Sequence, residues 1–266
     1  IYQANCQCKT LILRPPCTLR KNPLPDIIGI LSFFKQSFKY FSLMNSTCTT
    51  KRSNGQKTKA RLLRTTEKLF ASHGFAGVTM RGVATMAQTN IASANYHFGT
   101  KEAMVLEMLN SKIGPINKKR KERLAEAKHN SPNKPLPTSE IFRALILPVG
   151  QEVQIHFSSQ SNIVNIISRS FTEPASFLEK IHKRFFGELS QIFIDELKLT
   201  YPDANEDDIY WNFHFAIASM LGAFAQHRRL KDLTQGRCNE NAVAEMIERL
   251  INFVSSGFEA GMNKKL

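Results

Sequence analysis

The sequence predicts an all-α protein. From about residue 57 onward, apolar side chains recur at intervals of three and four residues, which is the spacing of one helix face. Residues that cap or end helices, such as Thr79, Asn90 and Gly99, separate these stretches from one another. We find no convincing strand pattern and no internal repeat in the sequence. With 42% hydrophobic residues, the chain has enough apolar material for a packed core.

The predicted helices follow in order along the chain. Their approximate bounds are 57–73, 80–86, 91–98, 101–128, 140–157, 159–170, 174–199, 206–229 and 240–260. Thr79, Asn90 and Thr100 are expected to be N-caps of the second, third and fourth helices, because their side-chain oxygens can accept from backbone amides. Gly74 is expected to end the first helix, since glycine readily adopts the left-handed backbone conformation found there.

The charge of the chain is large and unevenly distributed. The formal net charge is +14 at pH 7, and all of the positive excess lies before residue 127. The remainder has almost equal numbers of acidic and basic side chains. This asymmetry indicates a module that binds a polyanion, joined to a module with a different role. A basic surface that only keeps the protein soluble is the alternative.

Four of the five cysteines lie in the first 48 residues, so we expect no disulfide framework in the rest of the chain and a reducing, cytoplasmic location. The apolar stretch 27–34 is too short to cross a membrane. Because Met44 is followed by a polar lead-in, residues 1–43 are interpreted as a non-native or disordered extension. Residues 44–56 are expected to form a mobile basic lead-in.

The second and third helices have the lengths and the short intervening turn of a helix-turn-helix unit. On the third helix, Ile91, Ala94 and Phe98 are expected to face the core. Ser93, Tyr96 and His97 share another face, at helical spacing. A helix that enters the DNA major groove needs such a small or hydrogen-bonding outer face. Tyr96 as a core aromatic is the alternative interpretation.

The residues of this unit resemble the DNA-binding signature of the TetR family of transcriptional regulators. The resemblance lies in residues 79–84, 87–90 and 95–101, and Phe70, Gly74 and Phe75 also fall where that family has them. The Asn-Tyr-His-Phe-Gly run, together with Gly114-Pro115, is similar to a lipid-responsive branch that acts on fatty-acid metabolism genes. One departure is Gln88-Thr89, where the family usually has glycine and an aliphatic residue. A left-handed Gln88 would cost roughly 1 kcal/mol.

The resemblance implies a DNA-binding domain over residues 57–105 and a ligand-binding and dimerisation domain over residues 106–266. Thr79, Arg81, Tyr96, His97 and Lys101 would contact phosphates of double-stranded operator DNA. The residues that would approach base edges are Asn90, Ala92, Ser93 and Asn95. The last two long helices would form a homodimer, and a small effector would release a repressor from its operator. No cofactor is implied.

An effector pocket is expected between helices of the C-terminal part. Its candidate residues are Phe142, Ile146, Arg169, Phe185, Trp211 and His214. Arg169 and His214 could meet the head group of a fatty acid or acyl-CoA, with aromatic side chains around the acyl tail. The alternatives are that His214 is a satisfied core residue and that Arg169 pairs with an acidic side chain.

Two other functions are alternatives to a ligand-responsive regulator, namely an enzyme and a ligand-independent DNA-binding protein. An enzyme is not expected, because the sequence has no nucleophile elbow, phosphate-binding loop, zinc-protease motif or dinucleotide fingerprint. His97 is not expected to bind a metal, since no ligand-forming residue follows it by four positions. A ligand-independent DNA-binding protein would need a solid C-terminal core in place of a cavity. The basic run 118–121 is interpreted as a solvated helix face.

Overall fold

The computed structural model describes residues 54–157, 162–169, 172–239 and 242–263. The expectations for residues 1–43, for the lead-in up to residue 53 and for residues 158–161 lie outside these ranges. Across the described ranges the secondary structure is helical without a strand, which confirms the all-α prediction. None of the helices described is long and apolar enough to cross a membrane.

The helices are numbered here in chain order. They are α1 (54–77), α2 (Met80–Met86), α3 (Ile91–Phe98), α4 (Lys101–Asn130), α5 (Thr138–Phe157), α6 (Ile163–Arg169), α7 (Ala175–Ile181), α8 (Gly187–Thr200), α9 (Glu206–Ala225), α10 (Arg229–Thr234) and α11 (Val243–Met262). A π-helical turn, His182–Phe186, joins α7 to α8.

The predicted N-caps are confirmed. Thr79 Oγ1 accepts from the Gly82 amide at 3.0 Å, and Asn90 Oδ1 accepts from the Ala92 amide at 2.8 Å. Thr100 caps α4 in the same way. Each cap satisfies a backbone N–H that has no partner inside its helix. The starts of α2, α3 and α4 are therefore set locally by the sequence.

The prediction of one α-helix over 174–199 is wrong in one respect: the helical stretch is continuous over residues 175–200, but a π-helical turn divides it into α7 and α8. On the two sides of the π turn, the buried apolar residues nearest to it are Phe177 and Ile181 before it and Leu189 and Phe193 after it, with spacings of four, eight and four. Two turns of a regular α-helix contain about seven residues. A separation of eight residues between Ile181 and Leu189 would therefore rotate the side chains after the turn away from the core. A π turn holds one extra residue, and both halves keep their apolar side chains inward.

The predicted end of the next helix at residue 229 is also wrong. The backbone leaves helical geometry at Gln226, with φ of −118°, so α9 ends at Ala225. The short α10 follows and was not predicted. The last helix begins at Val243 rather than near residue 240.

Two hydrophobic clusters form the interior, and α4 belongs to both. The first cluster joins α1–α4 and also includes Ile166, Phe177 and Ile181. The second is formed by α5, α8, α9 and α11 with the later part of α4, which contributes Ile116 and Leu124. The helix therefore passes without a break through the predicted domain boundary at residue 105, which stays a prediction.

Close packing of α5 on α11 holds the second cluster together. The Phe142 ring lies 5.5 Å from the Phe258 ring in an edge-to-face arrangement. At the surface, the Arg143 guanidinium and the Glu248 carboxylate form two parallel hydrogen bonds of 2.7 and 2.8 Å. The carboxylate raises the pKa of Arg143, and the guanidinium lowers the pKa of Glu248. The ion pair therefore joins α5 to α11 at the surface, as the two rings do in the core.

The turn between α2 and α3 contains a left-handed residue that is not glycine. Gln88 has φ of 50°, as the sequence predicted, and its carbonyl accepts from Arg61 Nη2 at 3.2 Å. The Thr89 amide donates to the Ala84 carbonyl at 2.9 Å. The turn therefore keeps its hydrogen bonds despite the unfavourable conformation of Gln88.

Replacing Gln88 with glycine should stabilise the protein. Glycine adopts φ of 50° without steric cost, so we expect Gln88→Gly to raise the free energy of unfolding by ~0.5–1 kcal/mol. Urea denaturation followed by circular dichroism measures this. Thr85→Gly, in the neighbouring helix, is the control and should lower stability by ~0.3–0.5 kcal/mol. Equal destabilisation by both substitutions would contradict the strain assigned to Gln88.

Candidate nucleic-acid interface and internal cavity

The outer face of α3 is free of contacts with the core. Ala94 and Phe98 are buried in the first cluster, as predicted. Ile91 was expected to join them, but it is 41% exposed, because it opens the helix at the edge of the cluster. The Tyr96 side chain is 86% exposed, which excludes its interpretation as a core aromatic.

None of the nine residues predicted to contact DNA is buried. Thr79, Arg81, Asn90, Ala92, Asn95 and Tyr96 are exposed, while Ser93, His97 and Lys101 are half-buried. The His97 ring lies 5.3 Å from the Tyr96 ring, so the two side chains form one ridge at the end of α3. No group of metal-ligating residues that could hold an ion is found within the described ranges, around His97 or elsewhere.

Lys101 has a structural contact as well as an exposed charge. Its Nζ donates to the Ala76 carbonyl at 3.4 Å and lies 4.2 Å from the centre of the Phe75 ring. These contacts hold the start of α4 against the end of α1 through a cation–π interaction and a hydrogen bond. The ammonium has three donors, so it can bind a phosphate as well.

A cavity of about 340 Å³ lies between α4, α5, α6, α7, the π-helical turn, α8 and α9. Its walls are mainly apolar, and they include Ile113, Ile116, Leu145, Val149, Ile166, Phe213, Met220 and Phe224. The polar residues that reach it are Arg120, Arg169, Glu173, His182, Ser190, Tyr210 and His214. An apolar cavity with a few convergent polar groups is the usual form of a small-molecule site.

Of the six residues predicted to bind the effector, Arg169 and His214 line this cavity. Phe142, Ile146, Phe185 and Trp211 do not, and their assignment is corrected here. On α5, Phe142 and Ile146 occupy the second cluster, while Leu145 and Val149 face the cavity.

Trp211 lies on the outside of α9, where it is 61% exposed and stacks against Phe215 at 5.8 Å. Phe185 packs on the first cluster from the π-helical turn, and it is the following residue, Phe186, that reaches the cavity. The sequence pattern identified apolar helix faces but could not distinguish the two apolar sides of one helix.

Arg120 is the residue whose burial differs most from what the sequence predicts. Lys118, Lys119 and Lys121 are exposed, as expected for this run, but Arg120 is 4% exposed and lines the cavity. Burial lowers its pKa to about 10, so the guanidinium stays charged at neutral pH. The helical spacing did contain a signal, because Ile116, Arg120 and Leu124 follow one another at intervals of four.

Arg169 and Glu173 connect the cavity wall to the end of α1. Arg169 Nη2 donates to the carbonyls of Ala71, at 3.2 Å, and of Ser72. Both Glu173 oxygens accept from the Phe75 amide at 3.1 Å. Arg169 thus donates to α1 carbonyls, and Glu173, which no sequence signal marked, is a further residue of the cavity wall.

Gly74 makes this contact possible. Its φ is +68°, which turns the Phe75 amide out of the α1 ladder and toward Glu173. The predicted end of α1 at Gly74 is wrong, because residues 75–77 are also helical, although the left-handed Gly74 does perturb the backbone there. A Cβ at this position would clash with Glu173 Oε1, so the close approach also requires glycine.

Two family models match the chain. The model of bacterial regulatory proteins of the tetR family matches residues 62–108, and the model of the tetracyclin repressor-like C-terminal domain matches residues 143–257. Together they cover more than half of the sequence. They include α3 and most of the helices around the cavity, while the part of α4 that lines it lies between the two matches. No curated protein matches the sequence significantly.

Solved structures resemble the larger part of this chain. A transcriptional regulator of Pseudomonas aeruginosa PAO1 matches with a TM-score of 0.53 and 14% identity, covering 78% of this chain and 95% of its own. The fatty acid degradation regulator FadR of Bacillus halodurans matches with a TM-score of 0.51 and 10% identity, covering 75% and 95%.

NalD, the secondary repressor of the MexAB-OprM multidrug efflux pump in Pseudomonas aeruginosa, matches with a TM-score of 0.50 and 18% identity, covering 80% and 100%. At these identities the likeness shows a shared fold. The two family models match in sequence, the N-terminal model before the C-terminal one. Together with the shared fold, they establish the class of this protein. The chain belongs to the TetR family and is a DNA-binding transcriptional regulator, not an enzyme.

Proposed function

We propose that this regulator is a cytoplasmic repressor that a small molecule releases from its operator by binding in the internal cavity. The observation that carries the proposal is that Arg169 and Glu173 belong both to the cavity wall and to the contact with α1. The cavity of about 340 Å³ also disfavours a ligand-independent DNA-binding protein, which would have a solid core. NalD is a repressor by name, and FadR regulates fatty acid degradation by name.

The outer face of α3 is proposed to enter the major groove. Asn90, Ala92, Ser93 and Asn95 would approach base edges, since they are small or carry an amide or hydroxyl that can pair with bases. Thr79, Arg81, Tyr96, His97 and Lys101 would contact phosphates on either side. Phosphate contacts position a protein on DNA, and base contacts supply the sequence preference.

A homodimer is proposed through α9 and α11. Both helices have exposed aromatic side chains, with Trp211 at 61%, Phe215 at 54% and Phe253 at 70%. Gly222 on α9 and Gly257 on α11 have open space above their Cα atoms, which allows another helix to approach closely. A two-fold interface buries the same patch of both copies, and a dimer spaces its two recognition helices along the duplex.

Release is proposed to act through α1. A ligand that moves Arg169 or Glu173 changes how the end of α1 is held, and Lys101 connects that end to the start of α4. A ligand can shift the equilibrium only by its preference for one state of the protein. The ligand-bound state would therefore hold α1 and α3 in a position that fits DNA poorly.

Arg81→Ala tests the proposed phosphate contact. We expect it to weaken binding to specific and random duplexes alike, and to reduce the slope of log affinity against log salt by about 1 per subunit. Fluorescence anisotropy on DNA from the region upstream of the gene measures both. Lys118→Ala removes an exposed charge of α4 and should leave the slope unchanged. If native protein shows no preference over random DNA at low salt, the operator-binding function is wrong.

Phe253→Glu tests the dimer. A charge in the centre of an apolar interface should shift the protein to the mass of one chain in sedimentation equilibrium and weaken operator binding. Leu199→Glu places the same charge on α8, at a side chain that is 61% exposed, and should leave the dimer intact. Monomeric native protein, or two variants that behave alike, would contradict this interface.

Glu173→Ala tests the link between the cavity and α1. Since a hydrogen bond to a charged group contributes about 1.5–3 kcal/mol, the Phe75 amide should exchange its hydrogen about tenfold faster or more. We also expect operator affinity to fall about fivefold or more. Hydrogen-exchange mass spectrometry and anisotropy measure the two effects. Glu179→Ala, on the exposed side of α7, should change neither, and unchanged exchange at Phe75 in Glu173→Ala would contradict the link.

A further inference from the structure

Arg120 brings a positive charge into the cavity without an acidic partner. The side chain is 4% exposed and lines the cavity from α4. No carboxylate among the described residues forms an ion pair with it, whereas its neighbours Lys119 and Lys121 pair with Glu152 and Glu188. A buried charge is costly when nothing of opposite sign accompanies it. The cavity wall therefore contains a buried positive charge that is not paired with a negative one.

The hydrogen bonds of Arg120 all go to uncharged acceptors. Nε donates to the Leu145 carbonyl at 2.7 Å, and Nη1 donates to Asn117 Oδ1 at 3.1 Å. The third contact is from Nη2 to the Met220 sulfur at 3.6 Å, and a thioether is a weak acceptor. A guanidinium has five N–H donors, so these three contacts leave it able to bind two oxygens of an anion.

The rest of the cavity wall does not neutralise this charge. Within the described part of the chain, Glu173 is the one carboxylate that lines the cavity, and both of its oxygens accept from the Phe75 amide. Arg169 adds a second cation to the same wall. The remaining surface is mainly aliphatic and aromatic, so the cavity combines an apolar body with an excess of positive charge.

We propose that the cavity binds an apolar carboxylic acid in its ionised form, with the carboxylate held by Arg120. A planar guanidinium binds a carboxylate through two parallel hydrogen bonds, which an alcohol or an ester cannot supply. This inference rests on the proposed effector cavity and gives its ligand class. The head group is thereby placed at Arg120 and not at Arg169 and His214, the residues that the sequence predicts.

The free acid is favoured over its thioester with coenzyme A. In a thioester the group next to the apolar body is an uncharged carbonyl, so Arg120 would stay unpaired. The cavity volume of about 340 Å³ is near the lower end of the range of ~300–1,000 Å³ that small-molecule pockets occupy. A compact head group on a hydrocarbon chain fits this volume better than a nucleotide does.

Isothermal titration calorimetry with three probes of equal chain length tests the proposal on the native, full-length protein. Decanoate should bind about tenfold or more tightly than decan-1-ol, because only the acid supplies an anion to Arg120. Decanoyl-coenzyme A should bind more weakly than decanoate. Equal affinities for decanoate and decan-1-ol, or tighter binding of the thioester, would overturn the proposal without the use of any variant.

Substitutions of Arg120 then test whether this residue is the one that binds the carboxylate. Arg120→Met should bind decanoate no better than decan-1-ol, and Arg120→Lys should keep part of the preference. Lys121→Met removes the neighbouring exposed charge and should behave as native protein. Binding of decan-1-ol, together with the helical circular dichroism signal, reports whether each variant is folded. A folded Arg120→Met that still prefers decanoate would place the anion elsewhere and overturn the assignment.

The outcome is separable from that of the proposed function. Operator binding is measured without any of the probes, so a regulator that binds its operator but does not distinguish decanoate from decan-1-ol contradicts this inference alone. A protein that prefers decanoate, while its operator complex is insensitive to decanoate, keeps the carboxylate site and contradicts the release mechanism.

Discussion

The continuity of α4 is the constraint on which the rest of this structure depends. Its first turns, from Met104 to Leu109, are buried in the cluster that supports α3, and Ile116 and Leu124 are buried in the cluster beneath α5. A helix resists bending unless a proline or a π turn weakens its ladder, and α4 has Pro115 between these two groups. Rearrangement at one end is thus transmitted to the other, or is absorbed near the proline. In either case the two clusters share one continuous helix.

A second path runs beside α4 and has a different physical nature. It consists of hydrogen bonds from Arg169 and Glu173 to backbone groups of α1, supported by the left-handed Gly74. Packed side chains respond to a change of volume, whereas these polar contacts respond to a change of charge or hydrogen bonding. A ligand that has both an apolar body and an anionic head group would act on both paths, because Ile113, Ile116 and Arg120 of α4 line the same cavity as Arg169 and Glu173.

Sequence reasoning succeeded where structure is determined locally. The caps at Thr79, Asn90 and Thr100, and the bounds of α2 and α3, follow from side chains within a few residues, so they could be predicted correctly. The π-helical turn could not, because the cause lies in tertiary packing that must keep both flanking apolar stripes inward. The apolar pattern of a helix also predicted which side chains are buried better than it predicted which neighbouring element they face. Phe142 is buried as expected, but it faces α11 and not the cavity.

Charged residues show the same limit in another form. A run of four basic residues usually lies in solvent, and three of these do, so composition alone gave no reason to treat Arg120 separately. The spacing of Arg120 within the apolar face of α4 did indicate burial. To predict that burial, its position in the helix would have to count for more than its charge. Glu173 had no such sign, because its role depends on a chain reversal that brings it to α1 from 98 residues away.

The contact between the cavity wall and α1 has a consequence for which side chains of α1 can be substituted without loss of that contact. Arg169 and Glu173 hold α1 through the carbonyls of Ala71 and Ser72 and the amide of Phe75. The side chains of Ala71, Ser72 and Phe75 take no part in these hydrogen bonds. These hydrogen bonds therefore do not depend on the side chains of Ala71 and Ser72, provided that a glycine remains at position 74. Phe75 is different, because its ring also stacks on Phe177 at 4.1 Å. The contact thus combines a part that depends on the backbone alone with a part that depends on one aromatic side chain.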